Sequence, residues 1–212
     1  VAAQSKDSAT TPLQRTDKGS VARHEKFLKR AAMGHVDVLF LGDSITQGWE
    51  GAGKKAWAET FAPLNAVNLG IGGDKTGHVL WRITEGKELD PLKPKAAVIM
   101  IGTNNTGRDS AEQIAGGIKA IVDELRKQKP EMKILLLGVF PRAGGIKKED
   151  KVAPAEKLNP KIKEINTRIA KFADDKHVFY KDIGEKFQDA NRYRLGRGGR
   201  FLAPLQQLLG DL

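Results

Sequence analysis

The sequence predicts an α/β fold built on a five-stranded parallel sheet in a three-layer sandwich. Three observations carry that expectation. Five short apolar runs recur along the chain. Most are continuous rather than alternating, as strands covered on both faces require. The segments between them have helical period, so strand and helix alternate throughout.

In order, the runs are residues 36–41 (VDVLFL), 66–71 (AVNLGI), 96–102 (AAVIMIG), 133–140 (KILLLGVF) and 177–183 (HVFYKDI). A helix over VARHEKFLKR precedes the first. Between the third and fourth, Ile114, Ile118, Ile121, Val122 and Leu125 form one stripe, with Ser110 as cap and Pro130 as stop. Between the fourth and fifth, Asn159 reads as a cap and Pro160 as the first helical residue. Leu158, Ile162, Ile165, Ile169 and Phe172 then share a side. Residues 1–20 are polar, turn-rich and aperiodic, which predicts a flexible lead-in to a single domain over 21–212. Their small-residue start suits a chain whose signal peptide has been removed, so export is preferred over a cytoplasmic location.

Composition narrows the function. A chain of 212 residues with 40% hydrophobic and 29% charged residues can bury a real core without disulfides or metal. No apolar run approaches the roughly 20 residues of a membrane span. The lack of cysteine excludes thiol catalysis and cysteine-based zinc sites. A net charge of +10 raises the question of an acidic partner. The densest basic stretch, residues 147–171, interleaves acids with its lysines in the manner of a solvated helix face, and aromatics are 6%. Neither a nucleic-acid nor a membrane partner is expected.

In open parallel sheets the ligand crevice lies outside the carboxyl ends of the strands. That rule puts Ser44, residues 72–74, residues 103–105 and residues 141–142 on one edge, and His35 and His177 on the other. Two familiar signatures fail there. GDSIT is not G-x-S-x-G, because Thr46 stands at the second glycine. LGIGGDKTG is not a phosphate loop, because Leu69 and Asp74 replace its glycines, and an acid there would repel phosphate. What remains is a serine just past a strand, with Gly70, Gly72 and Gly73 allowing close backbone approach and Asn104 offering an amide. Three donors from three loops around one serine would make an oxyanion hole. The local alternatives are a turn cap for Asn104 and a plain turn glycine for Gly72.

GDSIT with Ser44, NLGIGGD with Gly72 and IGTNN with Asn104 resemble the first three sequence blocks of the SGNH (GDSL) hydrolase family. HVLWRI adds a likeness to the branch of the platelet-activating-factor acetylhydrolase catalytic subunits and their bacterial relatives. The resemblance runs from about residue 23 to 189. It implies a flavodoxin-like sheet and hydrolysis of a small-molecule ester without metal or other cofactor. It makes Ser44 the nucleophile and gives the oxyanion to the amides of Ser44 and Gly72 and the side chain of Asn104. Dimers occur in that branch, so the resemblance offers a homodimer as one arrangement and leaves the oligomeric state open.

The family's fourth block, an Asp-x-x-His that supplies the base, has no counterpart. After DIGEKFQDA the chain reads NRYRLGRGGRFLAPLQQLLGDL, without histidine. Composition changes at the same point. All 24 lysines precede Phe187, while Arg192, Arg194, Arg197 and Arg200 crowd the tail, a switch that suggests a frameshifted or replaced segment. Phe201, Leu205, Leu208, Leu209 and Leu212 have helical spacing, so residues 191–212 are expected to form a terminal helix. His78 lies near the predicted site and is the candidate substitute base. His24, His35 and His177 read as surface or structural histidines. Asp182, Glu185 and Asp189 read as loop and cap acids, poor bases for a serine unless burial raises their pKa. Two readings follow: a serine esterase for short acyl esters, or an impaired SGNH-fold module that binds esters without turning them over.

Overall fold

The computed structural model of the chain describes residues 9–142 and 155–184. The expected tail helix over 191–212, with Glu185 and Asp189, lies outside them. Five strands, β1 (Val38–Gly42), β2 (Ala66–Gly70), β3 (Ala96–Met100), β4 (Lys133–Leu137) and β5 (Val178–Lys181), form one sheet. The pairs are all parallel, in the order β2-β1-β3-β4-β5. This is the flavodoxin-like order, whose topological switch point falls between β1 and β3.

Strand periodicity explains the continuous apolar runs. Leu39, Leu41, Val67, Leu69, Ala97, Ile99, Ile134 and Leu136 project into one core cluster. Their neighbours Val38, Phe40, Val98, Met100, Leu135 and Leu137 project into another on the opposite face. The first cluster is closed by α4 (Thr76–Ile83), α5 (Ala111–Gln128) and α6 (Ala155–Ile169), through Val79, Ile83, Ile114, Ile118, Ile121, Ile162 and Ile165. α1 (Lys18–Ala32) adds Phe27 and Ala31 to it. On the opposite face, the one-turn α2 (Ser44–Gln47) and α3 (Lys54–Thr60) bring up an aromatic group. In it Phe40 meets Phe61 at 4.9 Å and Trp49 meets Phe61 at 5.4 Å. Helices on both faces make the three layers.

Ser110 caps α5 as expected, accepting from the Gln113 amide at 3.1 Å. Two expectations give way. α6 begins at Ala155, so Asn159 is not its cap and Pro160 lies inside the helix. Asn159 is employed elsewhere, accepting from the Arg142 amide at 2.8 Å and donating to the Arg142 carbonyl at 3.1 Å. Pro160 is the sixth residue of the helix, past the first turn, so the helix forgoes one internal hydrogen bond there. The second difference is at the start of the chain. Residues 9–17, read from sequence as flexible lead-in, are docked. Ala9 is fully buried, its carbonyl accepts from Thr76 Oγ1 at 2.7 Å, and the Leu13 amide donates to the Gly77 carbonyl at 3.0 Å. Asp17 then caps α1 through the Ser20 amide.

Candidate active site

The nucleophile turn is built on glycine. Gly42 and Gly70 are in register at the ends of β1 and β2. A Cβ on Gly42 would collide with Thr46 and the Met100 carbonyl, and one on Gly70 with the Gln47 amide and Thr46. α2 therefore lies directly on the strand ends. Asn68, a buried polar residue within β2, holds it there, donating to the Thr46 carbonyl at 2.8 Å and accepting from the Gly70 amide at 2.9 Å. Asp43 caps the turn by accepting from the Ile45 amide at 2.9 Å. Burial pushes its carboxyl up to about 6, against the Ile45 hydrogen bond and with help from the Asp74 charge. Ser44 follows at the first position of α2, exposed, and its hydroxyl has no hydrogen-bond partner among the described residues.

The second loop is a tight turn over residues 71–74, closed by the Asp74 amide on the Ile71 carbonyl at 3.1 Å. Gly73 has φ +82°, the left-handed value that a type II turn places at its third position. A Cβ on Gly72 would stand 3.7 Å from that of Ser44, so this loop flanks the serine. Gly72, expected from sequence to present its amide, spends it on Gln47 Oε1 at 2.7 Å. Its carbonyl accepts from Arg15 Nη1 at 2.7 Å. The following amide, that of exposed Gly73, has no hydrogen-bond partner among the described residues.

Asn104 arrives from the 3-10 turn Thr103–Asn105 after β3. Its Nδ2 donates to the Asp74 carbonyl at 2.9 Å and, at the long limit of 3.4 Å, to Asp43 Oδ2. Asn105 joins the same loops from below, accepting from the Thr76 amide at 3.1 Å and donating to Asp109 at 2.7 Å. Asp74 is fully buried between Arg82 Nε at 3.0 Å and Arg15 Nη1 at 3.3 Å. Burial raises its pKa, and the Arg82 and Arg15 charges work against that rise. Ser44, Gly72 and Asn104 thus meet at the switch point.

The histidines do not join them. His78 is the third residue of α4, and its Nδ1 accepts from the Lys75 amide at 3.0 Å. In the neutral ring the proton then sits on Nε2, leaving no free lone pair. Burial, and after it the charges of Arg15, Lys75, Arg108 and Arg82, lowers its pKa to about 4. His24 pairs with Glu88 at 2.7 Å and packs on Trp81, a structural role. His35 sits at φ +52° before β1, and His177 precedes β5, both at the opposite edge. Asp182 accepts from Asn166 at 2.9 Å and from the Gly184 amide at 2.8 Å, as a loop acid does. Among the described residues no imidazole or carboxylate hydrogen-bonds to Ser44, no acid–histidine group fit to hold a metal occurs, and no helix is long and apolar enough to cross a membrane.

Sequence reasoning missed Gln47, Asn68 and Arg15. For Asn68 a signal existed, since an amide inside an apolar strand must find buried partners. For Gln47 and Arg15 none did, because the Gly72 amide and carbonyl that they hold are backbone groups that only the fold brings near.

Residues 40–201 match the model of the GDSL-like Lipase/Acylhydrolase family. Platelet-activating factor acetylhydrolase IB subunit alpha2 of Gallus gallus is 41% identical over 145 residues, covering 68% of this chain and 59% of that protein. The chain therefore spans about three fifths of that relative's length. Among solved structures, a GDSL-like lipase from Bacteroides thetaiotaomicron superposes with TM-score 0.68 at 20% identity, covering 90% of this chain and 98% of that one. A carbohydrate acetylesterase from Sinorhizobium meliloti does so with TM-score 0.65 at 16% identity, covering 83% and 99%. These two likenesses concern the fold, whereas the family match includes the nucleophile turn, the glycine turn and the Asn104 loop. The chain belongs to the GDSL-like lipase/acylhydrolase family of hydrolases.

Proposed function

We propose that this protein is a serine esterase acting on short acyl esters, acetyl esters foremost, through an acyl-enzyme on Ser44. The observation that carries the reading is the meeting of an exposed serine hydroxyl, without a hydrogen-bond partner among the described residues, with the glycine turn and Asn104 at the switch point. Ser44 Oγ attacks the ester carbonyl. The tetrahedral oxyanion is held by the Ser44 amide, the Asn104 side chain and an amide of the glycine turn. That third donor is the Gly73 N–H, because Gln47 holds the Gly72 one. Collapse expels the alcohol, and water then releases the acid from the acyl-enzyme. Acetyl esters are favoured because the family relative and one fold neighbour are named for acetyl-ester chemistry.

No histidine follows His177 in this sequence, and His78 spends its Nδ1 on Lys75. With no base on Ser44 among the described residues, turnover is expected near the roughly 10³- to 10⁴-fold acceleration that an oxyanion hole and binding sustain alone. The same observation favours the second reading, an ester-binding module without turnover. Release of p-nitrophenol from p-nitrophenyl acetate separates them. The esterase reading predicts slow hydrolysis that Ser44→Ala abolishes and His78→Ala leaves in place. Equal rates for the parent chain and Ser44→Ala would overturn the esterase reading and leave the binding module, whose own mark is ester binding without p-nitrophenol release.

A further inference from the structure

We infer that Arg15 is a positioning residue that sets the donor polarity of the oxyanion site from outside it; this rests on the serine-esterase reading above. The peptide joining Gly72 to Gly73 is the middle peptide of a tight turn. Between two glycines it has two accessible orientations, related by a flip that exchanges type II for type I geometry. The flip decides whether the turn shows an N–H or a C=O to the crevice. Here Arg15 Nη1 grips the Gly72 carbonyl at 2.7 Å. The peptide joining Gly72 to Gly73 is trans, as are all those among the described residues, so the Gly73 N–H points away from Arg15. In the flipped state the carbonyl would occupy that direction and repel a developing oxyanion.

The grip is itself anchored. Arg15 Nε donates to Asp17 at 2.9 Å, and Asp17 is the cap of α1. Nη1 also reaches Asp74 Oδ1 at 3.3 Å, in the residue whose carbonyl receives Asn104. Two of the three proposed oxyanion donors are thus braced by one guanidinium. The docked strap of residues 9–17 carries it to the turn, and Gly117 leaves room for that strap, since a Cβ there would strike the Ala9 carbonyl and Thr76. On the other side, Gln47 holds the Gly72 amide, so the turn is clamped at both of Gly72's polar groups.

The test compares Arg15→Met, which keeps bulk but no donor, with Arg15→Lys, which keeps a donor. Two readouts are taken: p-nitrophenyl acetate kinetics, and the amide resonance of Gly73 in a Ser44→Ala background. Arg15→Met should lose about tenfold to hundredfold in kcat with KM within about threefold, and added guanidinium should restore part of it. Arg15→Lys should retain more activity than Arg15→Met. The Gly73 amide should shift in Arg15→Met while that of Gly42 stays in place. Parent-like kcat together with an unmoved Gly73 resonance in folded Arg15→Met overturns the inference. Should the parent chain fail to hydrolyse the ester, the esterase reading falls and the Gly73 resonance alone decides this one. If Arg15→Met does not fold, Arg15→Leu, which likewise carries no donor, takes its place under the same criteria.

Discussion

At the scale of single residues, Gln47 separates two accounts of the oxyanion site. Its carboxamide oxygen sits 2.7 Å from the Gly72 nitrogen, where an acyl oxygen would have to sit if that amide were the donor. If Gly73 is the donor, Gln47 is a brace, and Gln47→Ala should lower kcat on p-nitrophenyl acetate about tenfold. If Gly72 is the donor, the same change removes a competitor and activity rises. His78 yields a second prediction. Its folded pKa of about 4 lies below the ordinary 6.5. On acidification the unfolded chain takes up this proton first, so stability is lost as the pH falls from 6.5 towards 4. Asp43 acts in the opposite sense. Its pKa is raised from 3.8 to about 6, so the folded chain is protonated first and stability falls as pH rises through that window. His78→Asn keeps an acceptor for the Lys75 amide and abolishes the first effect. Between pH 7 and 5 its stability against urea should therefore fall by about 2 kcal/mol less than that of the parent.

At the scale of elements, the nucleophile turn depends on the close seating of α2 on β1 and β2. Gly70→Ala would drive a methyl into the backbone of Thr46 and Gln47, which cannot retreat without tilting the turn. A loss of about 3 kcal/mol is expected in a denaturant melt, as for other overpacked sites. Gly48→Ala, where a Cβ meets nothing, should stay within about 1 kcal/mol. The elements also show what sequence can convey. The five runs were readable because each strand sends alternate residues into two cores, and the α5 stripe because its cap and period agree. The start of α6 was not, because Asn159-Pro160 imitates a helix beginning while Asn159 is bound to Arg142 across the fold. The strap was not, because it docks through the Ala9 carbonyl and the Leu13 amide, and bonds of the backbone leave no pattern in the side chains.

For the whole molecule, parallel strand order converts three distant sequence blocks into one place. Ser44, Gly72 and Asn104 were legible because each follows a strand, and the order β2-β1-β3 makes those three strand ends adjacent. Arg15 and Gln47 were not, since their contacts exist only once the sheet has brought the loops together. The central claim is that Ser44 is a reactive nucleophile rather than an inert serine in an ester-binding module. It is tested most directly by treating the folded chain with a fluorophosphonate and locating the adduct by mass spectrometry. The account predicts a single adduct on Ser44, absent in Ser44→Ala. No adduct on the folded chain, or an adduct that survives Ser44→Ala, would contradict it.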